Sequence, residues 1–407
     1  MTTKESDITE KLGLKKIMIP VIIGLSVATY LLFSNLNEVR FEEATSGVGE
    51  YEWIDANNDN VPNLDDPDEF VEHPGGKYIK VTYKDVLGNI SWTWHSAFWF
   101  LMALICVAAR DLGYMYRIRV LTDKALSWRK SFDTIMLWEF ASALTPSIVG
   151  GSGVALFILN REGIKMGKST AVVMVTALMD ELFYITMVPM VLLIIGTSQL
   201  FPVSMEKEIF GMTFGTQGIF WLGYSFIVFL TTVIALAIFF RPRLFKYVLL
   251  QIFRLPFLTR WRYDIIALGN DIIITSRELK GKNKRFWVQV IASTYFSWTA
   301  RFIVVNMLIM AVVSVDDHLL LYGRQLVMWV IMLISPTPGS SGLAEFAFTG
   351  FLADFIPLGL AGGLAFIWRI VTYYIYIFIG AVVLPRWLRR TRIELARRKS
   401  QAKAPQF

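Results

Sequence analysis

The apolar residues of this 407-residue chain come in runs, and the lengths of those runs decide what it can fold into. A helix needs about 20 apolar residues, at about 1.5 Å each, to cross the hydrocarbon of a bilayer. Six stretches approach or exceed that length: about 17–34, 92–109, 170–196, 216–240, 286–313 and 359–384. Two more, 131–160 and 324–356, are interrupted by ALTPSIVGGSGVALF and ISPTPGSSGLAEF and are too broken to cross once. With 55% hydrophobic and only 18% charged residues, the chain is excluded from the soluble classes and reads as a polytopic membrane protein. Its net charge of +7 sits in loops beside oily runs, where Lys and Arg set membrane orientation, so no nucleic-acid partner is expected. The single cysteine, Cys106, lies inside an apolar run; it excludes an intramolecular disulfide and reads as a buried structural thiol.

Lys and Arg gather on the cytoplasmic side, which orders the runs. Lys11, Lys15 and Lys16 start the chain inside, and 17–34 reads as an uncleaved helix, since no small-residue cleavage site follows it. Residues 1–35 are thus a cytoplasmic tail plus first helix. Residues 36–91 hold thirteen Asp and Glu against four Lys and Arg and read as an acidic extracytoplasmic loop. Residues 110–130, with Arg110, Arg117, Arg119, Lys124, Arg129 and Lys130, return inside, and so does Arg161–Lys168. The segment 131–160 between them must therefore enter and leave on one side. The same reasoning puts Asp316-Asp317-His318 outside and the tail, 391–407, inside, which makes 324–356 a second re-entrant segment from the opposite side. Within the long basic loop 241–285, Phe245–Leu250 and Asp271–Ile274 suit helices in the headgroup layer, with a plain connection as the other reading. The expected fold is all-α, with about six spanning helices and two re-entrant helical hairpins.

The two broken segments resemble each other. Gly151–Phe157 (GSGVALF) and Ser340–Phe346 (SSGLAEF) share four residues in seven, both after Thr-Pro or Ser-Pro pairs. Opposite entry sides and a shared motif make an inverted repeat, an architecture that builds a substrate site at mid-membrane. Unpaired backbone groups are costly in hydrocarbon, so such breaks survive where protein or trapped water satisfies them. Charged residues inside spans are costly too, and are candidates for function. They are Glu139, Asp180, Glu181, Arg301, Glu345 and Arg369. From Gly153 to Asp180 is 27 residues, as from Gly342 to Arg369, so an acid and a base should lie at equivalent depths about ten residues, or roughly 15 Å, into their helices. Arg369 and Arg301 suit a phosphate, and the carboxylates Glu139, Asp180, Glu181 and Glu345 suit charge balance or a cationic headgroup. Internal salt bridging is the alternative for each. Thr145, Ser152, Thr337, Ser340 and Ser341 either line the path or cap broken helices.

One extramembrane motif stands out. Asp55, Asn57, Asp59, Asn63 and Asp66 occupy positions 1, 3, 5, 9 and 12 of a loop with calcium-binding spacing. Asn60 replaces the usual glycine and Asp66 is shorter than the usual glutamate, so a structural calcium site and an ordinary acidic loop both remain open. No cofactor for transport is expected. No nucleophile elbow or phosphate-cradling glycine loop is present, and His73, His95 and His318 fall outside or at the outer boundary, so no catalytic metal cluster can be assembled from them.

The stretches ALTPSIVGGSGVALFILNREG and SPTPGSSGLAEF, with the helices bearing Asp180-Glu181 and Arg369 after them, resemble the lysylphosphatidylglycerol synthetase/flippase transmembrane family over about 92–390. The first hairpin departs from the Gly-Glu and nearby Arg that many members show. The acidic insert is atypical as well. The resemblance implies a translocase for an anionic phospholipid or a polyprenyl-phosphate-linked lipid in a bacterial inner membrane. With only about twenty residues after the last helix, it implies that a separate enzyme makes the lipid; a homo-oligomer is compatible with it. A membrane transferase using a polyprenyl-phosphate donor, with Asp316-Asp317-His318 at its mouth, is one rival reading; a non-transporting lipid-binding scaffold is another.

Overall fold

The computed structural model describes residues 39–44, 47–56, 62–64, 66–82, 93–144, 148–202, 206–209, 212–255, 262–332, 343–356 and 360–403. The expected first span, 17–34, lies outside them. Among the described residues five helical runs are long and apolar enough to cross a membrane: Trp94–Leu121, Met166–Ile195, Thr216–Phe240, Lys284–Met310 and Ala361–Glu394. They match five of the six expected spans.

The acidic insert is not a plain loop. It forms a four-stranded antiparallel sheet from β1 (Val39–Glu43), β2 (Gly49–Trp53), β3 (Phe70–Gly76) and β4 (Tyr78–Thr82), in the order β1-β4-β2-β3. VRFEE, GEYEW and YIKVT alternate apolar and polar residues, the period of a half-buried strand. Phe41 stacks on Phe70 with centroids 4.2 Å apart, and Tyr51 and Tyr78 meet these two rings edge-on. The buried Glu69 accepts hydrogen bonds from the Trp53 indole and the Asn63 backbone N–H, tying the connection back to the sheet.

The helical domain runs through one succession twice. In the first half a long helix, α1 (Trp94–Leu121), is followed by two short ones, α2 (Trp128–Leu144) and α3 (Ile148–Arg161), and a second long one, α4 (Met166–Ile195). After a single turn at Thr197–Leu200, the strand pair β5 (Glu206–Ile209) and β6 (Met212–Gly215), α5 (Thr216–Ala235), α6 (Pro242–Ile252) and α7 (Arg262–Lys280), the succession recurs. It is again long, α8 (Lys284–Met310); short, α9 (His318–Met332) and α10 (Leu343–Leu352); and long, α11 (Ala361–Arg369) continuing through a π-helical turn (Ile370–Tyr374) into α12 (Ile375–Lys403). A second π turn, Leu236–Phe240, ends α5.

The halves interlock. α1 packs along α8, and each leading short helix packs on the closing long helix of the other half, α2 on α12 and α9 on α4. Small residues permit these crossings. A Cβ on Gly113 would meet Ser297 of α8; one on Gly380 would meet Phe140 of α2; one on Gly323 would meet Val191 of α4 and Leu200 just beyond it.

One expectation is corrected here. Residues 110–121 are not cytoplasmic loop but the last turns of α1, and Arg110 and Arg117 are buried at 3% and 4% exposure. The turn that follows is confined to 122–127, where Asp123 and Lys124 adopt positive φ. In the segment 241–285, α6 places Leu244, Tyr247, Val248 and Ile252 on an exposed apolar stripe, with Arg243 and Lys246 beside it.

Candidate functional site

Arg110, Tyr114 and Arg117 recur at i, i+4 and i+7 and so share one face of α1. The Tyr114 ring lies between the two guanidinium groups, 4.9 and 4.8 Å from its centroid. Arg110 makes ion-pair contact with Glu139 of α2 at 2.7 Å and with its neighbour Asp111 at 3.1 Å. Arg117 holds Asp180 of α4 in a fork, 2.5 and 3.2 Å, and donates to the Thr294 hydroxyl of α8 at 3.0 Å. Trp298 of α8 donates its indole N–H to the same Asp180 at 2.9 Å, and Tyr376 of α12 donates to Asp111 at 2.9 Å. Five helices are thus pinned to one another by charge-assisted bonds at the centre of the fold. Desolvating these charges is costly, and the paired geometry is what offsets it.

Arg301 sits one turn beyond Trp298 and is held differently. Its guanidinium lies over the Trp329 ring of α9 at 4.3 Å and the Trp298 ring at 5.2 Å. Among the described residues no carboxylate lies in ion-pair contact with it, while its charge reaches both Glu139 and Asp111. Beside Asp180, Glu181 keeps one carboxyl oxygen sealed from solvent without a hydrogen-bond donor among the described residues, and so does the hydroxyl of Tyr184 one turn on.

Arg369, only 5% exposed, ends α11 where the π turn begins, and its guanidinium covers the Tyr373 ring at 4.0 Å. Tyr373 donates to the Ala143 carbonyl, at the end of α2, at 2.9 Å. The neighbouring Trp368 stacks on Phe348 of α10 at 5.1 Å. Arg369 therefore stands where both short-helix pairs meet the closing helix of the second half. Asp180 is the fifteenth residue of α4 and Arg369 the ninth of α11, so the equal spacing from the repeat glycines does not give equal depth counted from the helix starts.

The structure brings Glu139, Asp180, Glu181 and Arg301 into one region. It adds Arg110, Asp111, Arg117, Thr294, Trp298 and Tyr376, which hydropathy alone did not select. Ser152 lies in α3. Thr145, Thr337, Ser340 and Ser341 lie outside the described residues, and of Glu345 only the backbone, in α10, is described. Asn57 and Asp59 of the calcium-like loop are outside as well. Of its described members, Asp66 caps the turn Pro67–Glu69 by accepting from the Asp68 N–H. Among the described residues, no group of three or more His, Cys, Asp or Glu could hold a metal ion. Asp317 caps α9 through the Leu320 N–H, and Asn306 of α8 donates to the His318 carbonyl, docking the start of α9 on α8.

Long apolar helices closed around a buried set of charged residues define a multi-pass helical membrane protein. The chain belongs to the lysylphosphatidylglycerol synthase TM region family, whose model matches residues 84–380. It is 25% identical over 308 residues to a UPF0104 membrane protein of Archaeoglobus fulgidus, a match covering 70% of this chain and 82% of that protein. No solved structure matches the chain.

Proposed function

We propose that the protein is a lipid translocase that moves an anionic phospholipid or a polyprenyl-phosphate-linked lipid between the leaflets of an inner membrane. The observation that carries this reading is Arg301: a guanidinium held between two indole faces, beside a network in which Arg110 and Arg117 are paired with carboxylates, with no described carboxylate in ion-pair contact. A planar fork of donors already oriented by aromatic faces suits a phosphate, which it binds with little further ordering. Arg369 at the meeting of the short-helix pairs is the second anchor. In this reading α2–α3 and α9–α10 are re-entrant hairpins entering from opposite sides, and the repeated succession of helices with its reciprocal packing supports an inverted repeat. The acyl chains stay in the bilayer while the headgroup passes between the hairpins.

The test is headgroup-labelled lipid movement in proteoliposomes, comparing anionic, zwitterionic and polyprenyl-phosphate lipids for the wild type, Arg301→Ala and Arg369→Ala. Loss of a charge-assisted contact to phosphate should slow the anionic or polyprenyl substrate by about tenfold or more. Movement at the wild-type rate in both variants would overturn the reading.

A further inference from the structure

Two arginine-containing locks close the short-helix pairs, and they sit at opposite ends of the fold. At the first, the fully buried carboxylate of Glu162, just past α3, is the hub. It accepts from the Trp387 indole at 2.7 Å, pairs with Arg390, and makes ion-pair contact with Lys130 at 3.1 Å. Arg390 reaches on to Asp133 at 2.9 Å, and Lys130 to Glu394 at 3.0 Å. The open ends of α2 and α3 are thereby fastened to the far part of α12.

At the second, Arg324 of α9 is the hub. It donates to the Gln199 carbonyl just beyond α4 at 2.8 Å, to the Phe351 carbonyl of α10 at 3.0 Å, and to Asp354 at 2.8 Å. Its guanidinium also covers the Phe355 ring. The open ends of α9 and α10 are thereby fastened to the far end of α4. The roles match across the repeat: each lock ties a leading short helix, the exit of its partner and the end of the other half's closing helix. The charge is inverted, a buried carboxylate hub in one and a buried guanidinium hub in the other. Glu162 precedes α4 and Gln199 follows it, so the 30 residues of α4, about 45 Å of helix, separate the two locks.

We infer that these clusters are the two gates of an alternating-access cycle, the Glu162 lock closing one mouth of the central charged region and the Arg324 lock closing the other. This rests on the translocase reading, and it names what must break for a headgroup to enter from either side. With both locks formed, the structure is the occluded state. Each hub is a buried charge whose partners lie on elements that separate when its hairpin moves, so opening one mouth exchanges several ion pairs for water. Two closed gates of this kind bias the protein against opening both mouths at once.

The experiment reads access rather than transport. Cys106 is the only cysteine, so a Cys106→Ser chain carrying Ser152→Cys offers a single reporter in the first turns of α3. Its labelling by a membrane-impermeant maleimide is measured from each face of oriented vesicles. Glu162→Gln and Asp354→Asn keep side-chain shape and remove one lock charge each; Arg390→Ala and Arg324→Ala remove the cationic partners. Breaking the Glu162 lock should raise labelling about tenfold, or about 1.4 kcal/mol, from the face carrying the 122–127 turn only. Breaking the Arg324 lock should do so from the other face only. Size-exclusion profiles and thermal unfolding screen out misfolded variants, and the isosteric pair keeps the test alive if the alanine variants fail that screen. Equal increases from both faces, increases from the wrong face, or no increase in folded variants would overturn the gates. Correct sidedness without movement of any lipid would leave the gates standing and overturn the translocase reading instead.

Discussion

In the first half of the helical domain, the two buried arginines of α1 are paired: Arg110 with Glu139 and Asp111, Arg117 with Asp180. In the second half, which repeats the same succession of helices, Arg301 rests on two indole faces with no described carboxylate in ion-pair contact. The difference teaches that a repeated backbone need not repeat its chemistry. A paired guanidinium is already satisfied and fixes helices in place. One cradled by indole faces, as Arg301 is, keeps donor capacity for an incoming anion, because a π face attracts the cation without occupying its N–H groups.

This contrast can be broken, beginning where the effect is largest. Arg117→Ala strands Asp180 beneath Trp298 and should lower stability by about 3–5 kcal/mol, the usual cost of removing one partner of a buried pair; thermal unfolding in detergent reads it. Next come the crossings that interlock the halves. Gly380→Leu and Gly323→Leu drive a side chain into Phe140 and into Val191 with Leu200, and each should cost about 1–3 kcal/mol. A large loss at one crossing and none at the other would show that the halves are not equivalent in packing either.

Arg301→Ala should change stability by less than about 1 kcal/mol, since it leaves no described carboxylate stranded in an ion pair, yet slow anionic-lipid movement by about tenfold or more. A loss as large as that of Arg117→Ala would erase the distinction drawn between the halves. The smallest effect lies in the turn after α1. Asp123 is partly buried, which opposes ionisation, but hydrogen bonds from Lys168 and Lys282, both 2.6 Å, win and hold its carboxyl below the ordinary value of 3.8. A depressed folded value means the contribution is present above the ordinary carboxylate range and is lost as pH falls through the folded value. Asp123→Asn should therefore remove a small part of the stability that the wild type shows at neutral pH and loses as pH falls below the ordinary carboxylate range, within about 1 kcal/mol for so exposed a pair.

Much of the fold was legible in the sequence, because hydrocarbon admits few solutions and run length reports them. The two broken segments were legible as well, and α2–α3 and α9–α10 fall within a few residues of them. What escaped had definite causes. Counting Lys and Arg near a span end assigns every such residue to the loop, so Arg110 and Arg117 were placed in water although their i, i+4, i+7 spacing with Tyr114 marked a continuing helix face. The excess of carboxylates in 36–91 hid the alternation that makes strands of VRFEE and YIKVT. Glu139, Asp180 and Arg301 were found because an intramembrane charge is conspicuous. Their partners Thr294, Trp298 and Tyr376 were not, because a hydroxyl or aromatic residue in an oily run looks ordinary until tertiary packing sets it against a charge.

The π turn at Ile370–Tyr374 has a mechanical consequence. A wide turn holds one residue more than an α turn, so the closing helix of the second half carries one residue of slack immediately beyond Arg369. Tightening it would advance the chain by one residue, turning α11 by about 100° and shifting it by about 1.5 Å relative to α12. The guanidinium would swing off the Tyr373 ring, and Trp368 would turn against Phe348. The helix that bears Arg369 thus contains a screw joint, able to re-aim the side chains of α11 while the long segment behind it stays seated.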